Sequence, residues 1–277
     1  MTLDGAPVRP RDKVAVDQTL VLKVVQEAEV FWAGEDMPLE IIYEDADLMV
    51  INKPAGLVVH PAAGHASGTL VNALLNYAPE LARLPRGGIV HRLDKDTSGT
   101  MFVARSSVAH QSLVAQLADR SVKREYAAVC IGTVTGGGTI SAPMGRHAHA
   151  RTKMAVVNNG KSAITHYRVK ERFGHHTHLA VTLETGRTHQ IRVHMAYKHH
   201  PLVGDPVYGG RPRIPAGASE PLITGLRAFP RQALHARTLA FDHPQSGQRL
   251  TFETDLPDDF EALLSLLRAE DSPHASR

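Results

Sequence analysis

Nine residues, His91-Arg92-Leu93-Asp94-Lys95-Asp96-Thr97-Ser98-Gly99, set the terms on which this chain can fold. They hold two carboxylates, two cations, a histidine, two hydroxyls and a glycine. Composition alone makes such a stretch an exposed charged turn. Yet Ile89-Val90 lead into it and Met101-Phe102-Val103 lead out, apolar residues of strand character. The fold must therefore hold a tight polar loop at the mouth of a buried strand. Gly99 allows backbone angles that a side chain would forbid, and Thr97 and Ser98 can hydrogen-bond the backbone of a turn.

The rest of the chain supplies a framework. Ile41 to Asp45 and Leu48 to Ile51 predict two short strands around an acidic turn. Val58 to Pro61 extends the second strand and ends it at proline. Thr69 to Tyr77 carries apolar residues at 70, 71, 74 and 75, a helical stripe. Ser106 to Leu117 predicts an amphipathic helix, with Ala109, Leu113 and Leu117 four apart and a serine as cap. Ala163 to Val169 and His178 to Glu184 alternate like antiparallel strands. Leu256 to Phe260 opens a final helix with aspartates at its N-terminus, and the last eight residues read as frayed. The pattern predicts an α+β fold: a mixed, mostly antiparallel central sheet flanked by helices. At 277 residues such a chain buries a core without covalent staples. The single cysteine, Cys130, lies in an apolar run and has no partner for an internal disulfide, which suits a reducing cytoplasm. No stretch approaches the roughly 20 apolar residues that span a bilayer, so the expectation is a cytoplasmic protein without a membrane partner.

Charge is unevenly spread. Residues 1–60 carry 5 Lys/Arg against 11 Asp/Glu, whereas residues 83–237 carry 23 against 8. A long basic middle between acidic ends suits a polyanion, because each phosphate contact releases counterions. Nucleic acid is the expected partner. The 17 histidines show neither H-E-x-x-H nor Cys/His zinc spacing, so no metal is expected.

The string from His91 to Gly99 resembles the H-R-L-D-x-x-T-S-G signature of the RluA/RluD-type pseudouridine synthases, nearest to the branch acting on large-subunit ribosomal RNA. Gly186-Arg187-Thr188-His189-Gln190-Ile191-Arg192 resembles that family's G-R-x-H-Q-[IL]-R motif. Lys123-Arg124-Glu125-Tyr126 resembles its K-x-Y motif, Lys53-Pro54-Ala55-Gly56 its K-P-x-G turn, and Pro201 to Gly209 a scaffold string. The resemblance implies the pseudouridine synthase fold with a central cleft. It implies Asp94 as the catalytic aspartate, Arg192 as its partner and Tyr126 as the tyrosine that stacks on the target base. Substrate contacts are expected from Arg92, which would fill the space the flipped base leaves, Ile191 in the apolar wall, and Lys123 on phosphate. His91 would support the loop or meet phosphate, and Lys53 would form a structural ion pair or touch phosphate. Thr188 is expected to cap the helix carrying Arg192.

The implied reaction converts uridine to pseudouridine in RNA, with 23S ribosomal RNA the first choice and transfer RNA the second; a non-catalytic RNA-binding protein is the alternative from another class. No atoms are gained or lost, so no cofactor is needed. Residues 1–30 resemble only the tail of an S4-type RNA-binding module, so the expected division is a remnant over 1–30 and a catalytic domain over 31–277, with Trp32 in the linker, acting as a monomer. The Pro-, Arg- and Gly-rich residues 211–233 read as a mobile surface loop facing RNA.

Overall fold

The computed structural model of the chain describes residues 1–9, 11–22, 32–61, 67–150 and 152–271. The chain divides into two units, Met1–Phe31 and Trp32–Arg277. In the first, the strand Thr2–Leu3 pairs antiparallel with both Ala6–Pro7 and Leu20–Val21. The Asp4 carboxylate ties this arrangement by accepting from the Thr19 N–H at 2.9 Å and the Gln18 amide at 3.0 Å.

The second unit is built on one nine-stranded sheet. Its strands in chain order are β1 (Glu40–Glu44), β2 (Leu48–Lys53), β3 (Ser98–Ala104), β4 (Lys123–Ile131), β5 (Gly138–Ser141), β6 (Ile164–Arg172), β7 (His176–Leu183), β8 (Leu234–Asp242) and β9 (Arg249–Glu253). They lie in the order β1-β2-β3-β8-β4-β7-β6-β5, with β9 paired to β8. Every pairing is antiparallel except β3 with β8. Among the described residues five α-helices accompany it: α1 (Leu70–Tyr77), α2 (Ser107–Ala118), α3 (Gln190–Tyr197), α4 (Glu220–Ala228) and α5 (Asp258–Asp271). The α+β, mostly antiparallel expectation describes this architecture.

The central strands are buried at most positions because both sheet faces are covered. Along β2 and β3, Met49, Ile51, Met101 and Val103 join the core that includes α1, while Leu48, Val50, Phe102 and Ala104 join the one that includes α2. Along β4, Ala128 and Cys130 face the first core, and Ala127 and Val129 pack with α4 and α5. Cys130 is fully buried, which pushes its thiol up to about 12. Thr69 caps α1 in a reciprocal box with Asn72, and Ser106 caps α2 by accepting from the Ala109 N–H.

Several expectations are corrected. Val58 to Pro61 does not extend β2: beyond Lys53 the chain turns, and Val58 makes only an isolated bridge to Thr69. Trp32 is not a free linker residue but packs, half-buried, against the main core. Residues 211–233 are not simply a mobile loop. Ser219 caps α4 through the Leu222 N–H, and Leu222 and Leu226, four apart, bury against Leu263, Leu264 and Leu267 of α5. Of the tail read as frayed, residues 270 and 271 belong to α5 and the remainder lies outside the described residues.

Candidate active site

The loop that carries Asp94 is pinned from several sides before any side chain reaches the cleft. Gly99 sits at φ +116°, with the Ala236 carbonyl so close that a Cβ would fall 2.1 Å from its oxygen, so only glycine lets β3 approach β8 here. Ser98 Oγ lies 2.9 Å from His235 Nδ1, and the Gln232 amide donates to Thr97 Oγ1 at 3.1 Å. The Thr97 N–H closes the turn onto the Asp94 carbonyl at 3.1 Å. Arg231, clamped by Asp259 at 2.6 and 2.8 Å, donates to the Asp96 carbonyl.

Lys53 completes the cradle, in neither expected role. It is fully buried, and its ammonium donates to the carbonyls of Pro54, Leu57 and Lys95 at 2.8, 3.0 and 2.9 Å. The Gly56 N–H donates to the same Lys95 carbonyl at 2.9 Å. Among the described residues no carboxylate pairs with Lys53, and its burial keeps it from phosphate. Burial pulls its pKa down to about 7, against the opposing charges of Asp96 and Asp94.

Arg192 enters from α3. Its Nη1 donates to Asp94 Oδ2 at 3.0 Å, while Nε and Nη2 grip Asp205 at 2.7 and 3.0 Å. The guanidinium also lies 5.1 Å from the Tyr208 ring centre, a cation–π contact. Asp205 Oδ1 accepts from the N–H groups of Val207 and Tyr208 as well. Burial works against both charges of this pair, but their mutual hydrogen bonds and attraction outweigh it, raising the pKa of Arg192 and lowering that of Asp205. The string read as scaffold thus supplies the second carboxylate that aims Arg192.

Helix α3 starts at Gln190, and its N-cap is His189 in the left-handed region (φ 57°, ψ 21°), not Thr188. Gln190 does the anchoring instead: its carbonyl accepts from Thr185 Oγ1 and the Arg187 N–H, and its amide donates to Ile164 O and Thr165 Oγ1. The twisted cap brings His189 Nε2 within 3.9 Å of Asp94 Oδ1. Tyr208 Oη accepts from the Met154 N–H at 2.9 Å and lies 2.8 Å from His189 Nδ1. Burial keeps the His189 ring neutral, its pKa lowered despite the Asp94 charge.

These groups open onto a cleft of about 460 Å³ lined by Asp94, Tyr126, Leu183, His189, Ile191 and Arg192, among others. Asp94 keeps 15% of its side chain accessible there, and Oδ1 is its free oxygen, since Oδ2 is taken by Arg192. Tyr126 and Ile191 are buried walls. Burial raises the Tyr126 pKa, with Arg124 opposing and Asp94 reinforcing, so the phenol keeps its proton at neutral pH. Arg92 and Arg187 are exposed on the lining. His91 borders the cleft, but its Nε2 accepts from the Phe102 N–H at 3.2 Å and its ring packs 4.4 Å from Phe102. Burial, with Arg124 adding to it, pushes its pKa down to about 3, so it props the loop as a neutral ring rather than contacting phosphate as a cation.

Lys123 does not line the cleft: it is half-exposed, 3.8 Å from Glu125. Strand alternation explains this, because residues two apart share a face and Arg124 therefore turns inward with Tyr126. Among the described residues, Asp45, Asp47 and His243 bring possible metal-ligand atoms within 4.8 Å of one another. Their atoms are already engaged with one another and with Tyr43 and Ser106.

The profile of the RNA pseudouridylate synthase family matches residues 47–197, which hold both long motifs and Tyr126. The chain is 62% identical over 270 residues to ribosomal large subunit pseudouridine synthase D of Pseudomonas aeruginosa, covering 98% of this chain and 84% of that protein. With the protein of the same name from Escherichia coli strain K12 the identity is 52% over 266 residues, covering 96% and 82%. Among solved structures, human RNA pseudouridylate synthase domain containing 4 aligns with a TM-score of 0.65 at 26% identity, covering 83% of this chain and 93% of that one.

Proposed function

The chain belongs to the RNA pseudouridylate synthase family, and on that premise we propose that it isomerises specific uridines of large-subunit ribosomal RNA, with Asp94 as the catalytic carboxylate. The names of its relatives support the choice of ribosomal RNA over transfer RNA. The observation that carries the assignment of Asp94 is its divided geometry: Oδ2 is held by Arg192 at 3.0 Å while Oδ1 stays open to the cleft.

The target nucleotide leaves its helix and enters the cleft, at a cost of a few kcal/mol in stacking and pairing. Arg92, exposed at the rim, takes the vacated place in the helix. The uracil rests against Tyr126, with Ile191 and Leu183 as apolar wall. The N1–C1′ bond then breaks. Attack on C1′ and removal of the 2′ proton are both served by the free Asp94 oxygen. The base turns, C5 bonds to C1′ as Asp94 leaves C1′ or returns the proton to C2′, and the C5 proton departs to solvent, while the Tyr126 phenol keeps its own proton and supports the base as an aromatic wall. Arg192, doubly gripped by Asp205, keeps the carboxylate fixed through these steps without reorganising. The enzyme acts as a monomer in the cytoplasm.

Pseudouridine mapped across ribosomal RNA from cells with and without the gene tests this reading. Sites in the large-subunit RNA that vanish without the gene and return on complementation are expected. An unchanged large-subunit map, or loss confined to transfer RNA, would overturn it.

A further inference from the structure

Among the described residues of the catalytic unit, three arginines keep less than a tenth of their surface exposed: Arg124, Arg192 and Arg231. Two are neutralised, Arg192 by Asp205 and Asp94 and Arg231 by Asp259. Arg124 is not. Among the described residues it has no carboxylate partner; its one hydrogen bond runs from Nη2 to the Glu184 carbonyl at 3.3 Å, and its Nε is buried without an acceptor. An uncompensated buried guanidinium is costly and is retained where a ligand supplies the missing charge.

Its position says which charge. Arg124 lies on the cleft face of β4, two residues before Tyr126. Gly186 closes over it so tightly that a Cβ there would fall 2.7 Å from Nη1. Its field bears on the Tyr126 phenol and on His91, both inside the cleft. Phosphates are better met by exposed cations such as Arg92 and Arg187 at the surface of the lining.

We propose that Arg124 binds a carbonyl oxygen of the target uracil and stabilises the negative charge that the base acquires when it leaves the sugar. The inference rests on the pseudouridylation reading. When N1–C1′ breaks, the electron pair goes to N1 and spreads onto O2 and O4. At the same time C1′ either bonds to the Asp94 oxygen or forms a glycal as that oxygen takes the 2′ proton. Arg124 donates hydrogen bonds to the exocyclic carbonyl oxygen of the base and transfers no proton. The charge is discharged when C5 bonds to C1′ as the Asp94–C1′ bond breaks, or as Asp94 returns the proton to C2′ of the glycal; the C5 proton then leaves and N1 is protonated, so the product is an isomer of the substrate. Preorganised donors at a developing oxyanion act in this way.

The test uses the full chain with a large-subunit RNA transcript, comparing wild type, Arg124→Met, Arg124→Lys and Asp94→Asn. Single-turnover rate, RNA Kd across salt concentrations, and Tm are measured for each. Arg124→Met is expected to slow turnover by about 10²- to 10³-fold, with Kd within about threefold and Tm unchanged or raised, because an unpaired buried charge has gone. Arg124→Lys recovers part of the rate. With 5-fluorouridine at the target, whose base anion is more stable, the wild-type advantage in glycosidic cleavage shrinks. Weaker binding with a salt slope reduced by about one and an intact rate would make Arg124 a phosphate contact and overturn the proposal. A lowered Tm with equal rate loss on both bases would make it structural and also overturn it. If wild type matches Asp94→Asn and neither makes pseudouridine, the functional reading itself fails.

Discussion

Replacing Asp205 by Asn keeps the shape of the residue and removes its charge. The asparagine carbonyl can still accept from the N–H groups of Val207 and Tyr208, which hold the turn. Its amide, however, would replace Oδ2 and point a donor at Arg192 Nε, where the present hydrogen bond is 2.7 Å long. The Asp205 side chain is fully inaccessible and that of Arg192 only 6% exposed, so water cannot repair the loss. Breaking one side of a buried pair costs about 3–5 kcal/mol, and at roughly 2–4 °C per kcal/mol for a chain of this size Tm should fall on the order of 10 °C. Arg192 would also be free to shift against Asp94, and a displacement of about 1 Å in a catalytic group costs about 10²-fold in rate. RNA affinity should change little, since neither residue is placed to meet the backbone. Thermal melts, RNA binding and tritium release from [5-³H]uridine RNA measure the three quantities. A variant that melts within 1–2 °C of wild type (about 0.5 kcal/mol) and keeps its turnover would refute the claim that Asp205 holds Arg192.

Lys53→Met removes a buried charge but takes a donor from the Pro54 and Leu57 carbonyls, the Lys95 carbonyl keeping the Gly56 N–H, so partly cancelling effects should lower Tm by only a few degrees, while loosening of the Asp94 loop lowers turnover by about 10²-fold; melts and single-turnover assays check both. Tyr208→Phe keeps an aromatic ring beside Arg192 but removes the hydroxyl that hydrogen-bonds His189 Nδ1, and a loss of about 1 kcal/mol, roughly fivefold in kcat with unchanged KM, is expected from steady-state kinetics. His235 is buried between Ser98 and Thr254 and its pKa is pushed down to about 4, chiefly by burial and secondarily by Arg231. Because the unfolded chain binds this proton near pH 6.5 and the folded chain only near 4, stability is full above pH 6.5 and falls as pH drops toward 4. Between pH 7 and 5 the loss from His235 is about 2 kcal/mol, so urea melts of His235→Gln should show a shallower acid dependence than wild type; identical slopes would exclude His235 as a source.

What was legible in the sequence was local. The loop at His91–Gly99 and the helix start at Gly186–Arg192 are contiguous strings, and their polar residues are needed next to each other, so reading along the chain finds them. Asp205 escaped because its purpose lies across a turn: it serves a guanidinium 13 residues earlier, and its own neighbours, Gly204 and Pro206, look like plain turn formers. Arg124 was within reach, since a tyrosine facing the cleft from a strand places the residue two before it on the same side. The partial match to K-x-Y drew attention to Lys123 instead. Helix α4 also had its signal in Ser219-Glu220-Pro221 followed by Leu222 and Leu226, hidden by the glycines and prolines around it. For Lys53 the K-P-x-G resemblance marks a supporting turn but not its bonding, because a lysine that ends up fully buried on three carbonyls looks the same in sequence as a solvated one.

The account depends on the negative charge at Asp94. Asp94→Asn retains the volume of the side chain and an acceptor for Arg192, and the residue is accessible enough that Tm should stay within a few degrees of wild type. Pseudouridine formed by the purified variant on a large-subunit RNA transcript that the wild-type enzyme modifies is the direct measurement. A folded, RNA-binding variant that makes no detectable pseudouridine is the expected result; pseudouridine at the wild-type rate would contradict the account.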